Sequence, residues 1–226
     1  MQDGRAPLEA ETAARLRAFV LANTELRHPD DVPEIRLHLT RDLTALWART
    51  EAELGRPGLD PPFWATAWAG GRALARYLLD SPAVVAGRTV LDLGSGSGLC
   101  AIAAAVAGGI VTAVDVDDLS MAAVALNAAV NGVQVRTVQR DLLADAPPDV
   151  DLILAGDVWY ERAMSERMLA WLRAARARGT EVLLGDPGRA YLPAHGLEPL
   201  ARYAVTADLD LESAAVTHAG VFALYG

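Results

Sequence analysis

Four groups of residues in this chain could do chemistry together. The first is Asp92-Leu93-Gly94-Ser95-Gly96-Ser97-Gly98, which follows the apolar run TVLDL and precedes the apolar stretch LCAIAAA. Glycines at a strand-to-helix junction let the chain turn tightly and let a ligand approach the backbone, and N–H groups at the helix start are expected to face that ligand. The second is Asp115, at the end of IVTAVDV, about twenty residues past Gly94, where a carboxylate can accept both hydroxyls of a ribose. The third is Asp141 in QRDLL, where an acid beside an apolar residue can hydrogen-bond an adenine amine. The fourth is AGDVWYER, in which Asp157 ends an apolar run and is followed by Trp159 and Tyr160. Each acid alone could cap a helix or sit solvated in a loop. Their order at the ends of successive strands is what makes one site of them.

The spacing of the glycines separates two cofactor classes. A dinucleotide-binding turn needs G-x-G-x-x-G, whereas here the third glycine, Gly98, comes one position early and residue 99 is Leu. Asp115 is compatible with either class and does not discriminate.

From residue 88 onward, apolar runs alternate with helical segments, the signature of a parallel sheet covered by helices. The runs are 89–93, 110–116, 133–139, 150–157 and 180–186, with helices expected at 98–107, 119–131 and 161–178. Gly132 and Gly179 supply the stops for the last two. After 186, YAVTADLDLES and AVTHAGVFALYG follow one another with no room for a helix, so they read as an antiparallel hairpin. The expected fold is an α/β Rossmann-like sheet of seven strands, mostly parallel, with that hairpin at its end. Ahead of it, helices are expected at 8–22 and 42–54, a short strand at Ile35, Leu37 and Leu39, and a helix in WAGGRALARYLLD that buries Leu74, Tyr77 and Leu78. Residues 1–60 read as a helical lid on the same domain as residues 61–226.

Composition narrows the class. The chain has 226 residues, 52% of them hydrophobic, and 20 basic against 29 acidic residues give a net charge of −9. That balance disfavours a nucleic-acid partner and favours a basic one. All the basic residues are Arg, and there is no Lys. The single cysteine, Cys100, fits a reducing compartment. The acidic N-terminus lacks the apolar core of a signal peptide, and the uncharged stretch 93–114 is interrupted by five glycines, so neither secretion nor a membrane span is expected. A cytoplasmic protein, monomeric by preference, is the expectation. The four histidines show no metal-ligand spacing with one another or with Cys100, so no metal is expected.

The D-x-G-x-G-x-G turn, Asp115, Asp141 and the strand ending at Asp157 together resemble the seven-strand class of S-adenosylmethionine-dependent methyltransferases. The ending Asp157-Val158-Trp159-Tyr160 is similar to the branch that methylates protein lysines. PEIRLHL (33–39), PPFWATAWAGGRALARYLLD (61–80), LGSGSGLCAIAAA (93–105) and GDPGRAYLP (185–193) narrow the resemblance to bacterial members of the electron-transfer flavoprotein β-subunit lysine methyltransferase family. It covers roughly residues 15–193. The resemblance implies S-adenosylmethionine as cofactor and a protein acceptor, the electron-transfer flavoprotein β subunit. It also implies cofactor contacts from Trp68, from Gly156 and, on the adenine side, from Leu142. Many relatives carry Phe or another apolar residue where this chain has Trp159.

On that reading Asp92, Gly94, Ser95, Gly96 and Gly98 shape the cofactor turn. Asp157 captures and orients the lysine while Trp159 and Tyr160 strip its water. Asp157 has a second reading, as N-cap of the 161–178 helix. Asp186 and Arg189 sit in a D-P-G turn at the same sheet edge, and the sequence leaves open whether they touch substrate. A ribosomal-protein lysine, a small-molecule acceptor or, in another class, a nicotinamide-dependent oxidoreductase are the alternatives. Enzymes that modify planar amides end the fourth strand in N-P-P-Y or D-P-P-Y, and the absence of proline after Asp157 argues against them.

Overall fold

A computed structural model describes residues 5–55, 57–206 and 216–225. Its centre is a seven-stranded sheet formed by β3 (Thr89–Leu93), β4 (Ile110–Asp115), β5 (Val135–Gln139), β6 (Leu152–Gly156), β7 (Glu181–Asp186), β8 (Leu197–Thr206) and β9 (Val216–Leu224). The strand order is β5-β4-β3-β6-β7-β9-β8, parallel throughout except for the two antiparallel pairings of β9. The expected α/β architecture with a C-terminal hairpin therefore holds. Parts of both expected hairpin segments, residues 207–215, lie outside the described residues, as do residues 1–4 at the N-terminus.

The sheet is buried on both faces, and neighbouring residues of one strand serve opposite layers, as a period of two requires. Val90, Leu152, Leu154 and Leu183 pack with α3 (Ala69–Asp80), α4 (Leu99–Val106) and α5 (Asp118–Val130). Leu91, Leu93, Ile153, Ala155, Val182 and Leu184 pack with α6 (Arg162–Ala177). Helix stops follow the expected chemistry, with Gly132 at φ +67° after α5 and Gly179 at φ +95° after α6.

The N-terminal segment comprises α1 (Arg5–Asn23), β1 (Glu25–Arg27), β2 (Leu37–Leu39) and α2 (Leu43–Leu54). Leu16, Val20, Leu43 and Leu46 form a cluster with Leu119, Ala122 and Ala123 of α5. Ile35 and Leu37 are fully buried against the central core. In α3, Leu74 and Leu78 are fully buried and Tyr77 partly so. Strand β1, antiparallel to β2, was not expected, because ELR has no apolar alternation to announce it. Strand β8 starts at Leu197, six residues earlier than the apolar pattern suggests. Pro199 cannot donate to a ladder, and a register shift between Pro199 and Ala201 absorbs it on what is an edge strand. Among the described residues, no helix is long and apolar enough to cross a membrane.

Candidate active site

The C-terminal ends of β3, β4, β5, β6 and β7 open into one cleft of about 600 Å³, a size that suits a small-molecule ligand. It lies where the chain reverses direction across the sheet, β3 having β4 on one side and β6 on the other. Gly94 and Gly96 form its floor, and Asp115, Asp141, Leu142, Gly156, Asp157, Tyr160 and Trp68 line it. Nine of the thirteen residues expected in the site are thus brought together.

The other four are elsewhere, each for a physical reason. Asp92 is 2% exposed and lies on the same face of β3 as Val90, beneath α4, where its carboxylate accepts from Ala101 N–H at 3.0 Å. Burial pushes its pKa up to about 7, against the opposing pull of that hydrogen bond. Gly98 adopts φ +80°, and a Cβ there would meet Val124 at 2.9 Å, so it serves helix packing. Ser95 is buried with its hydroxyl unpartnered. Trp159 is fully buried in the cluster that holds Met168, Trp171 and Leu172. The expectation that it flanks the acceptor is corrected: its ring is core.

The glycine turn also differs from the expectation of free amides facing a ligand. Gly94 and Ser95 donate to Val114 C=O at 2.9 and 3.1 Å, Gly96 donates to Asp115 Oδ2 at 2.9 Å, and Gly98 donates to Ser95 C=O at 2.7 Å. From α5, the Ser120 hydroxyl donates to Gly96 C=O at 2.6 Å and Asn127 donates to Ser97 C=O at 2.9 Å. These four amides are committed to the protein rather than to a ligand. What faces the cleft instead is a set of acceptors, Asp115, Asp117 and Asp141, together with the rings of Phe63 and Trp68. Those acceptors and rings fit a phosphate-free adenosyl group carrying hydroxyls, amines and positive charge.

Phe63 organises the aromatic wall. Its ring meets Trp68 edge-on at 5.8 Å and Tyr160 at 5.2 Å, and its carbonyl accepts from Trp68 Nε1 at 2.9 Å. Tyr160 is half exposed at the mouth. Asp141 accepts from Leu143 N–H at 3.0 Å and pairs with Arg167 at 3.1 Å. Thr50, Leu59 and Asp60 of the N-terminal segment close one side.

Asp157 is not a helix cap; Glu161 holds that role, accepting from Ala163 and Met164 N–H at 2.9 and 2.6 Å. Asp157 instead sits at φ +58°, alone among described non-glycine residues in having a positive φ. Such strain in a side-chain-bearing residue persists only where its surroundings over-determine it. Here the backbone N–H of Asp157 donates to Gly185 C=O at 2.9 Å. Its Oδ2 accepts from Gly71 N–H at 2.6 Å, and its Oδ1 accepts from Arg189 at 2.8 Å (Nη2) and 3.3 Å (Nε). Burial pushes its carboxyl pKa up, while Arg189 and the amides of Gly70 and Gly71 pull it down. Among the described residues, no group of His, Cys, Asp and Glu is placed to hold a metal ion.

A sequence model described as "Lysine methyltransferase" matches residues 64–190, more than half of the chain and all of this cleft's sheet edge. The chain belongs to the lysine methyltransferase family. It is 38% identical to the electron transfer flavoprotein beta subunit lysine methyltransferase of Xenopus laevis over 91% of this chain and 85% of that protein. The protein of the same name from Danio rerio is 39% identical over 80% of this chain and 71% of its own. Among solved structures, the magnesium protoporphyrin IX methyltransferase of Synechocystis PCC 6803 with bound SAH superposes with a TM-score of 0.50. It is 16% identical over 81% of this chain and 95% of that one, a likeness of fold. This methyltransferase therefore has the class I fold, with its cleft at the sheet edge where the three acids converge.

Proposed function

We propose that the enzyme transfers methyl groups from S-adenosylmethionine to lysine side chains of the electron-transfer flavoprotein β subunit, with the β3–β7 cleft as its active site. The observation that carries the site reading is the convergence of Asp115, Asp141 and Asp157 on one cleft beside the glycine turn. The choice of acceptor draws on the shared name of the relatives and on a net charge of −9, which suits a cationic target. A lone buried thiol fits action in a reducing cytoplasm.

S-adenosylmethionine, when bound, supplies an electrophilic methyl on a sulfonium for in-line displacement by an uncharged amine. Asp115 keeps acceptor capacity beyond its bonds to Gly96 and Asp117, enough for two ribose hydroxyls. Asp141 and Leu142 form the adenine side, and Trp68 and Gly156 line the same cleft. Thr50, Leu59 and Asp60 act as a lid edge over the cleft. The difficult step belongs to the acceptor: releasing a lysine's proton at pH 7 costs roughly 4–5 kcal/mol from its ordinary pKa of ~10.4. Asp157 orients the amine, and the Tyr160 and Phe63 rings exclude water around it.

The test is an intact-mass measurement of purified electron-transfer flavoprotein after incubation with enzyme and S-adenosylmethionine. A ladder of added methylene masses on the β subunit, mapped to lysine, is the expected result. Because the enzyme has no Lys, its own side chains cannot contribute lysine methylation to the readout. No mass gain on the flavoprotein would reject that acceptor.

A further inference from the structure

A buried carboxylate beside an acceptor lysine creates a conflict. Its negative charge orients the amine, yet it also favours the ammonium form, which cannot attack. The turn after β7 contains a residue placed to resolve this. Asp186 Oδ1 accepts from both Gly188 N–H and Arg189 N–H at 2.7 Å, which fixes the direction in which Arg189 leaves the turn. The guanidinium then lies between Asp157 Oδ1 at 2.8 Å and the face of Trp68, 5.7 Å from the ring centroid. Only 7% of the Asp157 side chain and 26% of the Arg189 side chain are exposed, so little solvent screens the pair.

We propose that Arg189 is a positioning residue for methyl transfer, one that neutralises Asp157 so that the acceptor amine can sit against the carboxylate without being held there as an ammonium. The inference rests on the reading of Asp157 as the acid on the acceptor side. With Arg189 in place the pair is close to neutral, and a second cation entering beside it meets the guanidinium as well as the carboxylate. The lysine then enters as the free amine, its proton having gone to solvent. Without Arg189, the same carboxylate is an unpaired buried charge, and an incoming ammonium becomes its natural partner.

The other groups facing Asp157 do not supply this charge. Asp186, on the same turn, is an acid whose pKa burial raises to about 6. Cys100 of α4 is a thiol that burial pushes well above its ordinary range. Helix α3 presents the uncharged amides of Gly70 and Gly71. Tyr160 is pushed up by burial, with Asp60, Asp115 and Glu161 adding to the rise and Arg189 opposing it.

The experiment is the pH dependence of kcat, measured at saturating electron-transfer flavoprotein so that it reports ionisation in the bound complex, comparing the wild type with Arg189→Met, Arg189→Lys and Asp157→Asn. For Arg189→Met the rising limb should move alkaline by about one unit, a loss of about tenfold near neutral pH that is recovered as pH rises. Arg189→Lys keeps the charge and should keep the wild-type midpoint, whatever its absolute rate. Arg189→Gln carries the same expectation as Arg189→Met, should that variant fold poorly. A loss by one constant factor at every pH in the neutral variants would overturn the proposal, because that is how a merely structural arginine behaves. Wild-type turnover in Asp157→Asn would instead defeat the reading of Asp157 on which the proposal rests.

Discussion

Gly70 and Gly185 meet backbone to backbone, the first turn of α3 lying on the end of β7 with no space for a side chain on either residue. A Cβ on Gly70 would collide with Gly185 C=O and come within 2.7 Å of Asp157 Oδ2. This contact brings the Gly71 amide close enough to donate to Asp157 at 2.6 Å. Gly70→Ala should therefore displace α3, destabilise the fold by about 1–3 kcal/mol as overpacked sites do, and reduce methyl transfer. Gly71→Ala is the control: its Cβ would meet Cys100 Sγ at 3.7 Å and Asp157 Oδ2 at 3.9 Å, ordinary contacts. Melting temperature and turnover of the two variants check this, and equal behaviour would contradict it.

Asp115 joins the glycine turn to the cleft through Gly96. Asp115→Asn keeps one acceptor oxygen but loses charge and half the capacity for ribose hydroxyls. The expected result is S-adenosylmethionine binding weaker by about tenfold or more, the scale of one charge-assisted hydrogen bond. Calorimetric titration of the cofactor measures it.

Asp92 makes a prediction about stability against pH. Its folded pKa is raised to about 7, mainly by burial, so the folded state binds its proton more tightly than the unfolded chain does. Stability from this group is therefore complete below the unfolded value and is lost as pH rises through the folded one. Asp92→Asn keeps an acceptor for Ala101 N–H and cannot ionise. Its melting temperature should exceed the wild type's by several degrees at about pH 8, and the gap should close towards about pH 4. Thermal scans across that window provide the check.

Trp159 separates packing from recognition. Its ring is wholly buried and its Nε1 has no partner. Trp159→Phe should cost about 1–3 kcal/mol through the space left in the α6 face of the core, while KM for the acceptor stays unchanged. A selective rise in acceptor KM, seen in steady-state assays, would return Trp159 to the acceptor side.

The sheet and its order of acids were legible because its parallel strands are mostly apolar runs with a polar residue in or just after them, a pattern that needs no tertiary information. Leu152, Ile153 and Leu154 announce β6, and Asp157 beyond it follows. What could not be read was direction. Trp159 and Tyr160 are adjacent aromatics, yet one is core and the other half exposed, a difference that residue type does not announce. Asp92 likewise looks like a cofactor acid until the pleat turns it under α4. Arg189 was visible only as part of a turn, since its partner Asp157 lies in the loop after a different strand. Phe63 belongs to the PPFW motif, but its place between Trp68 and Tyr160 depends on how residues 61–68 fold over the cleft.

The proposed function divides the cleft between a cofactor half and an acceptor half, with Asp157 on the acceptor side, and Asp157→Asn tests that division most directly. Asn tolerates a positive φ better than most residues, so the substitution changes charge with little backbone penalty. The measurement pairs calorimetric S-adenosylmethionine binding with the single-turnover rate of methyl transfer to the flavoprotein. Cofactor affinity within about threefold of wild type, with transfer slower by about 100-fold or more, is the expected result. Transfer at the wild-type rate, or loss of cofactor binding in step with loss of transfer, would contradict it.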